Sequence, residues 1–290
     1  MHLKDEFRKI VTHLTAQFTI PPIEKVFFPP FYKGGQPKDA EFMAISLEGG
    51  AAGLSYMLLP DSKEQAYTKL LPENFIGKNP IEYALEFGTT DQIRQMTSLA
   101  AINAICQQVM RMTCFEVDTT TDSLGLLSIS KNDRVGMVGL FHPLIKTIQK
   151  TGAQLVVVEE KADLIKNFPD LQITLEPAEL QTCNKVLCTG TTILNNSLDD
   201  ILTHCSQNAL ISVVGPTVGY FPDPLFARGV DVVGGRVVKN GDMLIRRLNK
   251  ENAGGRPPKK CASAKRLTRV SFSIHTVRIN NGLILSGQGG

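Results

Sequence analysis

The chain has 290 residues, 42% apolar and 20% charged, the balance of a soluble globular protein long enough for two domains. No run of about 18 apolar residues occurs, which excludes a membrane-spanning helix. The opening MHLKDEFRKI mixes acids with bases and has no apolar centre, which excludes a signal peptide and predicts a cytoplasmic protein. The net charge of +3 is uneven: Lys250 to Gly290 holds eight Lys/Arg and one Glu, a net of +7, so the rest of the chain carries −4.

Residues 1–19 read as an amphipathic helix, with Leu3, Phe7, Ile10/Val11, Leu14 and Phe18 on one face, stopped by Pro21 and Pro22. Residues 25–60 read as strands. In EFMAISLEGGAAGLSYMLLP two apolar runs flank Glu48-Gly49-Gly50, whose glycines supply the backbone freedom of a reversal. The preceding KVFFPPFYKGG suits an edge strand, because its prolines cannot donate to a ladder. Residues 62–112 read as helical, most strongly from Asp91 to Met112, where Ser98-Leu99-Ala100-Ala101 would allow a close approach to a neighbour. This predicts an α+β domain over residues 1–120.

From Arg134 the pattern changes. Apolar β-branched runs at Arg134–Gly139, Gln154–Glu159, Leu171–Leu175, Lys185–Gly190, Ala209–Gly215 and Val230–Val233 alternate with helical stretches. Pro143 opens one such helix and Gly152 closes it. Ser197 and Asp200 form a candidate capping pair for another, and Asp242–Leu248 is a last helix. This alternation predicts a Rossmann-like α/β domain over residues 132–249, with a mostly parallel sheet covered on both faces. Residues 250–290 read as a basic, poorly ordered tail, with Val270–Ile274 and Leu283–Leu285 as candidate short strands.

The candidate site lies at the carboxyl ends of the parallel strands, where open α/β sheets bind ligands. The first strand ends in Gly136-Met137-Val138-Gly139, which is not the G-x-G-x-x-G dinucleotide fingerprint. Glu159 closes the second strand, where a dinucleotide fold bonds a ribose hydroxyl; it either does so here or begins a solvated loop with Glu160. The fourth strand ends in Thr189-Gly190-Thr191-Thr192 followed by Asn195, and the fifth in Gly215-Pro216-Thr217. Hydroxyls and backbone N–H groups at three successive strand ends predict a site for an anionic group, although Gly and Thr are also ordinary turn residues. His142 is either a base, a metal ligand or a helix-start residue.

The six cysteines, Cys106, Cys114, Cys183, Cys188, Cys205 and Cys261, form no C-x-x-C pair, which excludes a disulfide framework. The cluster Cys183, Cys188, His204 and Cys205 fits no zinc module, and burial is the simpler account of it. The tail lacks the interleaved aromatics of a nucleic-acid-binding segment. No G-x-S-x-G elbow, P-loop or H-E-x-x-H motif occurs.

Taken in order, VGMVGLFHPLI, LVVVEE, CTGTTILNNSLDDIL and VVGPTVGYFPDPLFARGVDVVGG resemble the putative heavy-metal chelation family, a family of unknown function. LEGGAAGLSYMLL and SLAAINAI look like its companion N-terminal domain. The resemblance covers about residues 5–248. It implies an enolase-N-terminal-like domain before the Rossmann-like one, and a site in the cleft between them. The family motifs fall on Gly139, Glu159, Thr189, Gly190, Thr191, Thr192, Asn195, Gly215, Pro216 and Thr217. The chain departs from the pattern at Phe141-His142-Pro143, where members carry a Phe-Pro pair, and in the tail after Asn249.

The expected function is binding of a metal ion, or of a metal-containing or anionic small molecule. Glu159, His142 and Glu48 are its candidate metal ligands, and a divalent or heavy-metal ion its candidate cofactor. Two alternatives stand beside it: an enzyme using a nucleotide-like or S-adenosylmethionine-like ligand, and a non-enzymatic metal-delivery or sensing module. Partners are expected to be small molecules or other copies of the chain, not nucleic acid or membrane.

Overall fold

The computed structural model describes residues 2–31, 41–60, 62–115, 127–160, 162–252 and 274–277. Two compact units emerge, and neither is one continuous piece of chain. The first comprises Met1–Glu116, Pro216–Tyr220 and Gly235–Ser273; the second comprises Val117–Gly215, Phe221–Gly234 and Ile274–Gly290.

The first unit opens with helix α1 (Leu3–Gln17), whose buried face is Leu3, Phe7, Ile10, Val11 and Leu14, as the spacing predicts. Strands β1 (Ile23–Phe27), β2 (Phe42–Leu47) and β3 (Ala52–Tyr56) form an antiparallel sheet in that order. Gly49 and Gly50 make the β2–β3 reversal at φ +84° and +86°, conformations that a side chain resists. Short helices α2 (Lys63–Tyr67) and α3 (Pro80–Ala84) lead to α4 (Gln92–Met112), capped by the Asp91 carboxylate on Arg94 N–H at 3.0 Å. A methyl group at Gly53 would lie 2.1 Å from the Ala100 carbonyl oxygen, so α4 and β3 touch backbone to backbone. The small residues Ser98 to Ala101 permit that approach.

The second unit holds β4 (Arg134–Val138), α5 (His142–Thr151), β5 (Gln154–Val158), α6 (Asp163–Asn167), β6 (Gln172–Thr174), β7 (Lys185–Thr189), α7 (Thr191–Leu194), α8 (Leu198–Thr203), β8 (Leu210–Val214), α9 (Asp223–Phe226) and β9 (Val232–Arg236). Six strands pair in parallel in the order β6-β5-β4-β7-β8-β9, with the short strand β10 (Ile274–Val277) beside β9. Numbered within the unit this is the order 3-2-1-4-5-6, the doubly wound arrangement whose strand order reverses between β4 and β7. Val135, Met137, Val157 and Leu187 form its core with Ile145 and Ile148 of α5. Pro143 lies in the first turn of α5, and Gly152 ends the helix in the left-handed region at φ +78°.

Two expectations are corrected. The last helix, α10 (Gly241–Asn252), belongs to the first unit and not to the parallel-sheet unit. Its Leu244, Ile245 and Leu248 share a core with Phe27, Ala44, Ala52 and Leu54 of the small antiparallel sheet. Amphipathic spacing shows that a helix has an apolar face, but not which sheet receives it. Ser197 and Asp200 form no capping pair, because the Ser197 hydroxyl donates instead to Asn195 Oδ1 at 2.7 Å. The candidate tail strand at 283–285 lies outside the described residues, as do residues 270–273 of the other. The strand formed there is Ile274–Val277.

Candidate functional site

The site is built at the carboxyl edge of the parallel sheet. After β4 the chain turns at Gly139, held at φ +83°. A methyl group there would come within 2.9 Å of Thr189 Cγ2, so the loops after β4 and β7 are in direct contact where the strand order reverses. Gly139 N–H donates to the Val158 carbonyl at 3.0 Å, joining the end of β4 to that of β5. The half-buried Glu159 follows. Its Oε1 accepts the Leu140 N–H at 2.6 Å, and its Oε2 accepts Glu160 N–H at 3.2 Å.

Across the switch point, the Thr189 and Thr191 hydroxyls lie 3.0 Å apart, and Thr191 N–H donates to Thr189 Oγ1 at 3.3 Å. Gly190 N–H donates to the Val214 carbonyl at 2.8 Å. Thr192 is buried and donates its hydroxyl to the Thr189 carbonyl at 2.7 Å, which makes it a brace for the loop. Asn195 reaches back to the second strand end, where its Nδ2 donates to Glu160 Oε1 at 3.0 Å. Glu159, Glu160, Thr189, Thr191 and Asn195 therefore belong to one hydrogen-bonded edge.

Other predicted site residues have different work. Gly136 lies inside β4, and a methyl group there would meet Leu180 Cδ2 at 2.6 Å and Cys183 Sγ at 3.2 Å; it is a packing glycine. Gly215, at φ +144°, donates to the Gly234 carbonyl at 3.0 Å, and the chain crosses into the first unit at Pro216. Thr217 is 1% exposed. Its hydroxyl accepts Tyr56 N–H at 3.3 Å and its carbonyl accepts Asn103 Nδ2 at 2.7 Å, so it holds the fold of the first unit.

Asn103 and Gln107 escape sequence reasoning. Both are buried on α4. Asn103 also donates to the Leu54 carbonyl and accepts Gly219 N–H. Gln107 donates to the carbonyls of Gly219 and Arg236 and accepts Val238 N–H. The available signal was Asn103 and Gln107, four residues apart on the same helical run as Gln108 and the apolar residues around it.

The candidate metal ligands do not form a centre. Among the described residues no group of three or more His, Cys, Asp or Glu could hold a metal ion. Glu48 is exposed on the β2–β3 turn of the first unit. His142 packs its ring against Phe168, centroids 4.8 Å apart. The thiols are no better suited. Burial raises the Cys183 thiol, pushes Cys188 up to about 12, and pushes Cys205 up to about 11 with help from Cys183. Binding a metal through them would require the metal to displace a thiol proton that burial favours.

A family model described as putative heavy-metal chelation, DUF364, matches residues 122–267 of the chain. An uncharacterised protein of Methanocaldococcus jannaschii is 25% identical over 175 residues, which span 60% of this chain and 64% of that relative. Two crystal structures of DUF364 proteins of unknown function share the fold, each with a TM-score of 0.65. The one from Desulfitobacterium hafniense is 18% identical and matches 95% of this chain and 100% of its own. The one from Pyrococcus horikoshii is 19% identical and matches 96% and 100%. No helix among the described residues is long and apolar enough to cross a membrane.

Proposed function

The chain belongs to the putative heavy-metal chelation family, and from that premise we propose that it binds a polar small molecule at the carboxyl edge of its parallel sheet. The observation that carries this reading is the contact between the Gly139 and Thr189 loops at the β4/β7 reversal, with the Glu159 carboxylate and the Thr191 hydroxyl on the same edge. Doubly wound sheets bind ligands outside the carboxyl ends of the strands at such a reversal. The protein contributes hydrogen-bonding groups already fixed in place, which lowers the ordering cost of binding.

A second reading follows the family description. Glu159 and Glu160 offer two carboxylates at one strand end, whereas a hard cation takes about six to eight oxygens. A metal would therefore arrive with a small molecule that supplies the remaining donors. Native mass spectrometry of freshly purified protein, combined with elemental analysis, separates the two readings. The first expects an organic adduct without stoichiometric metal, and the second expects both together. Amide resonances of Leu140 and Thr191 that stay unmoved when the adduct is removed and restored would refute the strand-edge site.

A further inference from the structure

Resting on the strand-edge reading, we propose that the hydrogen bond between Glu160 and Asn195 is a strap across the carboxyl end of β4, and that opening it admits a small molecule to the site. Glu160 follows the end of β5, and Asn195 follows α7 at the end of the loop after β7. Those two strands do not pair with each other. Each pairs with β4, one on either side of it. Neighbouring strands lie about 4.8 Å apart, so a bond joining the outer two of three must cross a gap of about 10 Å over the middle one. The stretch it crosses contains the contact between Gly139 and Thr189 and the bond from Leu140 N–H to Glu159. That is the reversal of strand order at which this fold binds ligands.

The two ends of the strap are built differently. The Asn195 end is a fixed post. Its backbone N–H donates to the Thr191 carbonyl at 3.0 Å, and its Oδ1 accepts Ser197 N–H at 3.2 Å and the Ser197 hydroxyl at 2.7 Å. Two donors on Oδ1 settle the orientation of the amide and aim Nδ2 at Glu160. The Glu160 end is free to swing. Its side chain is exposed, and among the described residues no lysine or arginine forms an ion pair with it. Asn195 is exposed as well, so water competes for the bond and its net strength is small. A rotamer change at Glu160 alone releases the strap, and exposed side chains make such changes within nanoseconds. The backbone bonds from Gly139 to Val158 and from Gly190 to Val214 stay in place when it opens.

The test uses the full-length, isotopically labelled protein and a small neutral nitroxide radical, hydroxy-TEMPO, dissolved beside it. Relaxation enhancement at the Gly139 and Leu140 amides reports how closely the radical approaches the end of β4. In N195A the donor is gone, and the enhancement should rise about threefold, the population shift expected from losing one exposed hydrogen bond. N195D sets a second carboxylate against Glu160 and should raise it at least as far. E160Q keeps an oxygen that accepts Asn195 Nδ2, and it should stay near the native value. An N195A protein indistinguishable from the native one would overturn the strap. An E160Q protein as open as N195A would overturn this hydrogen bond as the closing contact. A rise that spreads to the Leu187 amide, in the middle of β7, would mark a loosened sheet and overturn the strap as well. The radical is not a ligand, so the strap can fail while the strand-edge site stands, and the mass-spectrometric experiment judges that site separately.

Discussion

The two ends of the parallel sheet treat charge in opposite ways. At the amino end, Asp133 accepts Ser130 N–H at 2.6 Å, Asn184 Nδ2 at 2.7 Å and Lys185 Nζ at 3.0 Å. Lys185 also donates to the Ser128 carbonyl, while Arg134 reaches Thr182, Gln154 and Glu179. Desolvation pushes the Asp133 carboxyl up, but these hydrogen bonds outweigh it and hold the group well below the usual carboxylate range. At the carboxyl end, Glu159 and Glu160 have backbone and amide partners only, among the described residues. Charges satisfied by opposite charges lock strands in register; charges left without a counter-charge keep interaction capacity for something else.

The sharpest way to break this comparison is to disable each end in turn. Replacing Asp133 with Ala strands Lys185 without its counter-charge and should cost about 3 kcal/mol in urea unfolding. It should leave ligand-induced shifts at Leu140 intact. The same carboxylate gives the amino end an acid signature. Its folded-state value lies below the ordinary 3.8, so its contribution is complete above that pH and is lost as pH falls toward the folded value. Unfolding free energy measured from about pH 5 down to pH 2 should fall more steeply for the native protein than for D133N.

Smaller effects sharpen the picture. Gly136→Ala pushes a methyl group into Leu180 and Cys183 and should cost about 2 kcal/mol, read as a lowered urea midpoint. E159Q should cost about 1 kcal/mol or less, because a neutral acceptor still meets Leu140 N–H. Its effect on ligand binding should be far larger than its effect on stability. A large loss of stability in E159Q would put Glu159 in the same structural class as Asp133.

Much of the second unit was legible in the sequence because parallel strands buried on both faces are continuous apolar runs. The runs ending at Gly139, Glu159, Gly190 and Gly215 locate β4, β5, β7 and β8 to within a residue at that end. The strand-end motifs were legible for the same reason: glycines and hydroxyls interrupt such runs where the chain must turn. What they do was less legible. Thr191 and Thr217 look alike in sequence, yet one opens α7 half-exposed and the other is sealed under Tyr56 and Asn103. Asp133, Asn184 and Lys185 meet only because β4 and β7 are neighbours, and no local pattern announces a pairing some fifty residues apart.

Gln107 has a wider consequence. One buried amide on α4 binds Gly219, Arg236 and Val238, all contributed after the chain has already built most of the parallel sheet. The first unit is therefore completed by residues that follow five strands of the parallel sheet, and no single cut separates it from the second. A gene fragment ending near residue 116 would encode a helix whose Gln107 lacks these three partners and whose Asn103 keeps only the Leu54 carbonyl. The first unit is thus drawn from three stretches of chain, and a single crossover cannot carry it whole.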